Sequence, residues 1–237
     1  MIAPVLELRG VSKRFGGIRA LEEVSLSVQA GSTVAIIGPN GAGKSTLFAL
    51  VSGELQPSEG MILLAGRALG RLSAERRARA GLGRTFQSAR LFAGLTVREN
   101  VELALVHRGR REEEVREALA EVRLLERIER RAGALAQGER KRLELAMVLA
   151  QRPRLLLLDE PTAGMGAEER AAIMELIVGA VSRRGLTMVF SEHDMDTVFA
   201  HAQRIVVLDR GAILADGSPR AVRADERVQE IYLGSTA

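Results

Sequence analysis

Apolar and polar residues alternate by twos near the start of the chain, in Val5-Leu6-Glu7-Leu8 and again in Val24-Ser25-Leu26-Ser27-Val28. Successive side chains of a strand point to opposite faces, so this pattern predicts antiparallel strands with one buried face. Met61 to Ala65, bracketed by Gly60 and Gly66, reads the same way. Farther along the pattern changes. Leu155 to Leu158, Leu186 to Phe190 and Ile205 to Leu208 are short continuous apolar runs separated by helical stretches, and Ile36-Ile37 closes another. Runs that are apolar on both faces fit a parallel sheet covered by helices on each side. Lys44 to Ser52 predicts a helix that Gly53 stops. Residues 88 to about 152 read as helical: Thr96 and Glu99 have the spacing of a capping box, and Val115, Leu119, Val122 and Leu125 place an apolar stripe on another helix. The predicted fold is α/β, a three-layer core with an antiparallel β flank and a helical subdomain. It forms one domain over 1–237, with flank and core at about 1–87 and 153–237 and the helical subdomain at about 88–152.

Composition narrows the classes. With 237 residues and 46% hydrophobic content the chain can bury one sizeable core. It has no cysteine, which excludes disulfides and thiolate metal sites and fits a reducing cytosolic setting. No apolar run approaches the ~20 residues that span a bilayer, and the N-terminus lacks a signal-peptide pattern, so the chain reads as soluble or peripheral. The net charge is +4, but arginines interleave with glutamates, as in Arg110-Arg111-Glu112-Glu113-Glu114-Val115-Arg116-Glu117. That reads as a solvated helix face rather than a nucleic-acid surface, with a basic docking surface as the alternative.

The chemistry is concentrated in two places. Gly38-Pro39-Asn40-Gly41-Ala42-Gly43-Lys44-Ser45-Thr46 follows an apolar strand and opens a helix. This is a loop built to hold nucleotide phosphates: helix N-terminal N–H groups lack partners, and glycines admit the close approach a β-carbon would block. In this arrangement the Lys44 ammonium reaches the terminal phosphates and the Ser45 hydroxyl ligates Mg²⁺. Only Lys13, Lys44 and Lys141 are lysines among 34 basic residues, so a compact ammonium at 44 departs from the chain's preference for arginine. The second place is Asp159-Glu160, after Leu155 to Leu158. A carboxylate ending a buried strand near a phosphate loop is placed to hold Mg²⁺, and Glu160 then to orient or deprotonate an attacking water. On its own an acidic strand end could merely cap the turn at Pro161.

With these motifs in this order, the chain resembles the ATPase subunit of an ABC transporter over essentially all 237 residues. The resemblance implies a P-loop ATPase core that binds ATP with Mg²⁺. It implies that Phe15, in Arg14-Phe15-Gly16-Gly17, stacks on adenine; by its residues alone it would be core of the N-terminal sheet. It gives Gln87, ending Gly83-Arg84-Thr85-Phe86-Gln87, a role in sensing Mg²⁺ and the attacking water and in linking to the membrane subunit. His193 becomes the switch histidine on the γ-phosphate, where a lone histidine would otherwise be structural, with Asp194 capping the next helix. Leu135-Ala136-Gln137-Gly138-Glu139-Arg140 occupies the signature position, so Ala136 and Gly138 would touch the γ-phosphate held by an opposite subunit, ahead of a helix from Glu139 to Gln151. Here the chain departs from the family pattern: Ala136 stands for a serine, Gln137 for a glycine, and Ala163-Gly164-Met165-Gly166 for a loop ending in Asp.

Phe15-Gly16-Gly17, Arg84 to Gln87, Ser191-Glu192-His193-Asp194-Met195 and Ile231-Tyr232-Leu233-Gly234 resemble the first ATPase of branched-chain amino acid importers. Urea or amide importers and a lipopolysaccharide-exporter ATPase are the alternatives within transport, and a non-transport ABC ATPase lies outside it. The implied partners are a second ATPase subunit, identical or different, two integral-membrane permeases and, indirectly, a periplasmic or extracellular binding protein, with no nucleic acid. The implied location is the cytoplasmic face of the inner membrane. The segment from Gln87 to Leu95 is the expected contact with the permease, with Leu91 and Phe92 as core residues in the alternative.

Overall fold

Alternation at the N-terminus produces a long hairpin in the computed structural model, which describes residues 3–85, 90–109 and 111–233. Strands β1 (Pro4–Phe15) and β2 (Ile18–Gln29) pair antiparallel, Leu6 opposite Val28 and Leu8 opposite Leu26, so their apolar faces coincide. After them come β3 (Thr33–Ile37), α1 (Lys44–Ser52), β4 (Glu59–Leu64), β5 (Arg67–Ala68), α2 (Ala74–Arg79), β6 (Leu82–Thr85), α3 (Val97–Ala104), α4 (Glu112–Glu121) and α5 (Gln137–Ala150). The chain continues through β7 (Leu155–Asp159), α6 (Ala167–Arg184), β8 (Thr187–Ser191), α7 (Met195–His201), β9 (Arg204–Asp209), β10 (Ala212–Gly217), α8 (Pro219–Ala224) and α9 (Glu226–Leu233).

Two sheets result. One is antiparallel with strand order β2-β1-β4-β5. The other has order β10-β9-β3-β8-β7-β6, parallel from β9 to β6 with β10 antiparallel at its edge. The continuous apolar runs are buried on both faces because each face has its own core. Val34, Ile36, Leu155, Leu157, Val189 and Val206 pack with Phe48 and Leu50 of α1 and with the antiparallel sheet. Ala35, Ile37, Leu156, Leu158, Met188 and Phe190 pack instead against α5 and α6, through Leu145, Leu149, Ile173 and Ile177. No helix among the described residues is long and apolar enough to cross a membrane.

Several elements differ from the sequence expectations. The strand expected at Met61 to Ala65 runs from Glu59 to Leu64, and Gly60 lies inside it, because a β-carbon there would sit 2.2 Å from the Gly10 carbonyl oxygen. Leu125 leaves the expected stripe: α4 ends at Glu121, Arg123 takes a positive φ of 57°, and Leu125 starts a 3₁₀ turn at 36% exposure. Leu124 is buried in its place. Helix α5 begins at Gln137, two residues before the expected Glu139, because the Glu139 carboxylate reaches back to the Ala136 N–H at 3.1 Å.

The far end of α1 is held by a fully buried arginine that no acidic side chain among the described residues pairs with. Arg77 donates to the carbonyls of Leu50 (2.6 Å), Val51 (2.9 Å), Gly70 (3.0 Å) and Leu72 (3.0 Å). The first two are among the last carbonyls of α1, which lack intrahelical partners and carry the negative end of the helix dipole.

Candidate functional site

The loop after β3 is shaped by contacts that leave no room for side chains. At Gly38 a β-carbon would fall 2.2 Å from the Leu208 carbonyl oxygen of β9. At Gly43, the residue before α1, it would fall 2.6 Å from Leu21 Cδ2 and 2.7 Å from the Ala20 oxygen. The loop is thus pressed against two strands while its open side faces a cavity of about 180 Å³, lined by residues 40–46 together with Ala20, Glu160 and His193. Lys44 is buried to 7% exposure, and its Nζ donates to the carbonyls of Gly38 (2.6 Å) and Pro39 (3.1 Å). Burial pulls its pKa below 10.5, against the opposing pull of the Glu160 and Asp159 charges. Ser45 is exposed at the cavity wall, Thr46 half-buried beside it.

Asp159 and Glu160 arrive from β7, which is separated from β3 only by β8. Ser191, the last residue of β8 and the register partner of Asp159, donates its hydroxyl to Asp159 Oδ1 at 2.9 Å. Arg84 of β6 faces the other oxygen, Oδ2, at 3.8 Å and also pairs with Glu54 at 3.0 Å. Glu160 has a positive φ of 48°, and its Oε1 lies 2.8 Å from His193 Nε2. Asp194 caps α7 by accepting from the Thr197 N–H at 2.8 Å, and that bond, helped by Arg170, holds its carboxyl below the ordinary value of 3.8. Among the described residues no cluster of three or more His, Cys, Asp or Glu could cage a metal. One carboxylate and one hydroxyl beside a phosphate loop suit a cation that keeps its waters and takes phosphate oxygens, as Mg²⁺ does.

The structure therefore brings together residues 38–46, Asp159, Glu160 and His193, but leaves the other candidates elsewhere. Phe15 is 45% exposed at the end of β1 and does not line the cavity. Its exposure removes the core reading; the Lys13 ammonium lies 5.0 Å from its ring. Ala136 and Gly138 open α5 outside the cavity, with no side-chain cap at Ala136. Gly138 abuts α6, where a β-carbon would fall 2.1 Å from Glu169 Oε1. Gln87 lies outside the described residues. Phe92 is 55% exposed, so it is not core, whereas Leu91 packs on the helical cluster. A larger cleft of about 750 Å³ between α4 and α6 is lined by Arg183 and Arg184 already paired with Glu117 and Glu121, and it has no loop that could cradle a phosphate. Arg84, Ser191 and Glu192 are site neighbours that sequence reasoning missed, since only strand adjacency brings them to Asp159 and its loop.

A glycine-rich strand-to-helix loop, a buried lysine and an acidic strand end at the carboxyl edge of a parallel sheet define a P-loop nucleotide-binding ATPase. A family profile described as ABC transporter matches residues 21–163, more than half of the chain. A second, described as branched-chain amino acid ATP-binding cassette transporter, matches residues 212–237. The chain is 40% identical, over 99% of both chains, to the high-affinity branched-chain amino acid transport ATP-binding protein BraF of Pseudomonas aeruginosa. It is 37% identical, again over 99% of both, to LivG of Escherichia coli K12, which carries the same description. Among solved structures it resembles the ADP conformation of MJ1267, an ATP-binding cassette of an ABC transporter, with a TM-score of 0.86 and 29% identity over 98% of this chain and 99% of that one. A dimeric post-hydrolysis state of the cassette MJ0796 bound to ADP and Pi matches with a TM-score of 0.80 and 27% identity, over 91% and 99%. The chain belongs to the ABC transporter family, as one of its ATP-hydrolysing cassettes.

Proposed function

We propose that this chain powers the import of branched-chain amino acids from the cytoplasmic face of the inner membrane. The observation that carries this reading is the match of residues 212–237 to the branched-chain amino acid cassette profile, on a chain similar along its whole length to BraF. In this reading the chain pairs with a second ATPase subunit and docks on two permeases that receive substrate from a binding protein. ATP favours the closed pair of cassettes over the open one, and that difference in affinity is what drives the permeases.

Within the site, the N–H groups of Gly38 and of residues 40–46, Pro39 having none, and the Lys44 ammonium hold the phosphates. To do so Lys44 exchanges its present carbonyl partners, Gly38 and Pro39, for phosphate oxygens. Ser45 and Asp159 would hold Mg²⁺, with Gln87 beside them; the cation supplies charge neutralisation on the β- and γ-phosphates. Glu160 orients or deprotonates the attacking water, and His193 contacts the γ-phosphate. Ala136 and Gly138 serve the nucleotide of the opposing subunit, through the free N–H groups at the start of α5.

The site assignment is tested by Glu160→Gln, which should lower ATP turnover at least ~100-fold while ATP binding is retained. The transport assignment is tested by affinity capture from gently solubilised membranes. Recovery of two distinct permeases with a second, similar ATPase is expected; recovery of a cassette homodimer with export permeases, or of ribosomes or nucleic acid, would overturn it.

A further inference from the structure

Three consecutive residues, the last of β8 and the two that follow it, each grip the end of β7 or the segment after it. Ser191 Oγ donates to Asp159 Oδ1 at 2.9 Å and accepts from the Glu160 N–H at 3.1 Å, and that N–H also faces the Ser191 carbonyl oxygen at 3.2 Å. Glu192, buried to 6% exposure, accepts from both the N–H (3.0 Å) and the hydroxyl (2.6 Å) of Thr162. His193 meets the Glu160 carboxylate at 2.8 Å. Ser191 is fully buried, so water does not compete for its hydroxyl.

We propose that Ser191 is a positioning residue whose one hydroxyl aims the Asp159 carboxylate and pins the backbone that carries Glu160. The inference rests on the roles proposed above for those two acids. Glu160 needs such an anchor because its φ of 48° lies in the left-handed region, which is strained for a residue with a β-carbon. Without the hydroxyl, Oδ1 of Asp159 loses its buried donor, and the carboxylate is left to turn toward Arg84, which already faces Oδ2 at 3.8 Å. Outer-shell partners of this kind typically set about 10–100-fold in metal affinity or activity. Thr162 and Glu192 secure the loop one step farther on, so loss of the Ser191 hydroxyl loosens the aim of the acids without unfolding the turn.

Thr187 provides a matched control. It too is a buried hydroxyl of β8, 1% exposed, and accepts from the Gly31 N–H at 2.9 Å, but at the opposite end of the strand. The test compares Ser191→Ala, Thr187→Val and Glu160→Gln in the purified full chain. Three quantities are read: steady-state ATP hydrolysis at saturating metal, metal-free ADP affinity by calorimetry, and binding of Mn²⁺, a paramagnetic stand-in for Mg²⁺, in the presence of ADP by electron spin resonance. For Ser191→Ala the expected result is a kcat lowered about 10–100-fold and a weaker Mn²⁺ affinity, with KM and metal-free ADP affinity held within about twofold. Thr187→Val should leave all three unchanged. Equal losses in both hydroxyl variants, or a loss of ADP affinity that parallels kcat in Ser191→Ala, would reduce Ser191 to a structural residue. Normal turnover and Mn²⁺ binding in Ser191→Ala beside an inactive Glu160→Gln would overturn the inference and leave the site reading intact. Normal turnover in Glu160→Gln would overturn the site reading and the inference with it.

Discussion

Replacing Gly38 by alanine tests whether the phosphate loop works through its seating against β9. The added β-carbon would lie 2.2 Å from the Leu208 carbonyl oxygen, whereas carbon and oxygen normally approach to about 3.3 Å. Leu208 is fully buried in the sheet, so the loop rather than the strand must move, by about 1 Å. A displacement of that size stretches an N–H···O distance from about 2.9 Å to nearly 4 Å, beyond hydrogen bonding. Losing two charge-assisted bonds to phosphate, at about 1.5–3 kcal/mol each, weakens binding by about 3 kcal/mol or more, which is at least ~100-fold in Kd. Titration calorimetry with ADP measures this directly. Gly41→Ala is the internal comparison: its β-carbon meets nothing within 4 Å, but φ is 82°, so it carries backbone strain of about 1–2 kcal/mol without a collision. It should lose stability to urea and keep ADP affinity within about tenfold of the parent. Binding by Gly38→Ala within about threefold of the parent, or an equal loss in Gly41→Ala, would refute the seating argument.

Arg77→Met strips the donors from four carbonyls, two of them buried (Leu50, Val51) and two partly buried (Gly70, Leu72), and should lower stability by about 3–5 kcal/mol in urea unfolding, the regained desolvation of the guanidinium offsetting part of the gross loss; a change below about 1 kcal/mol would show that those carbonyls find other partners. Asp194→Ala removes the cap of α7 and should cost about 1 kcal/mol at neutral pH. Because the Asp194 carboxyl is held below 3.8, its stabilisation is present in full above that ordinary value and fades as pH falls through the lowered folded one, so the melting curves of parent and variant should converge in acid. Lys44 has the opposite sign. Its folded pKa is below 10.5, so the unfolded chain holds the proton more tightly, and ligand-free stability should rise with pH between the lowered value and 10.5; Lys44→Met should lose that rise in urea titrations across the alkaline range.

Much of the architecture is legible because hydrophobic period reports burial directly. The hairpin at the N-terminus alternates since one face of the antiparallel sheet is wet, and the runs at Leu155 to Leu158 and Ile205 to Leu208 are continuous since both faces are covered. Gly53 ends α1 as expected because it takes a φ of 89°, open to glycine, and the Thr96–Glu99 box forms with bonds of 2.7 and 3.1 Å. Leu125 fails for a reason that periodicity does not register: the helix carrying its stripe ends when Arg123 enters the left-handed region. The short elements β5, β6 and α2 are too brief to impose a period at all. At the site, the phosphate loop and Asp159-Glu160 announce themselves because each is a local sequence pattern. Ser191, Glu192 and Arg84 do not, since their meaning comes from partners about thirty or more residues away, across β8 and β6.

The order of the strands then divides the site into a fixed floor and movable tips. β8 lies between β3 and β7, so the residues leaving it are flanked on one side by the phosphate loop and on the other by the acidic strand end, with strands spaced about 4.8 Å apart. The bonds of Ser191 and Glu192 to Asp159, Glu160 N–H and Thr162 are buried or partly buried, and the two buried ones from Thr162 to Glu192 resist opening by about 1–3 kcal/mol each because water does not reach the groups they would expose. The contact between His193 and Glu160 differs: the histidine side chain is 55% exposed, and such a pair breaks at a cost of about 1 kcal/mol or less. A nucleotide entering the cavity can therefore separate His193 from Glu160 with little opposition while the carboxylate of Asp159 and the backbone of Glu160 keep their places. The roles proposed for Asp159, Glu160 and His193 call for that combination, a preset position for the cation and the attacking water together with a histidine able to follow the γ-phosphate.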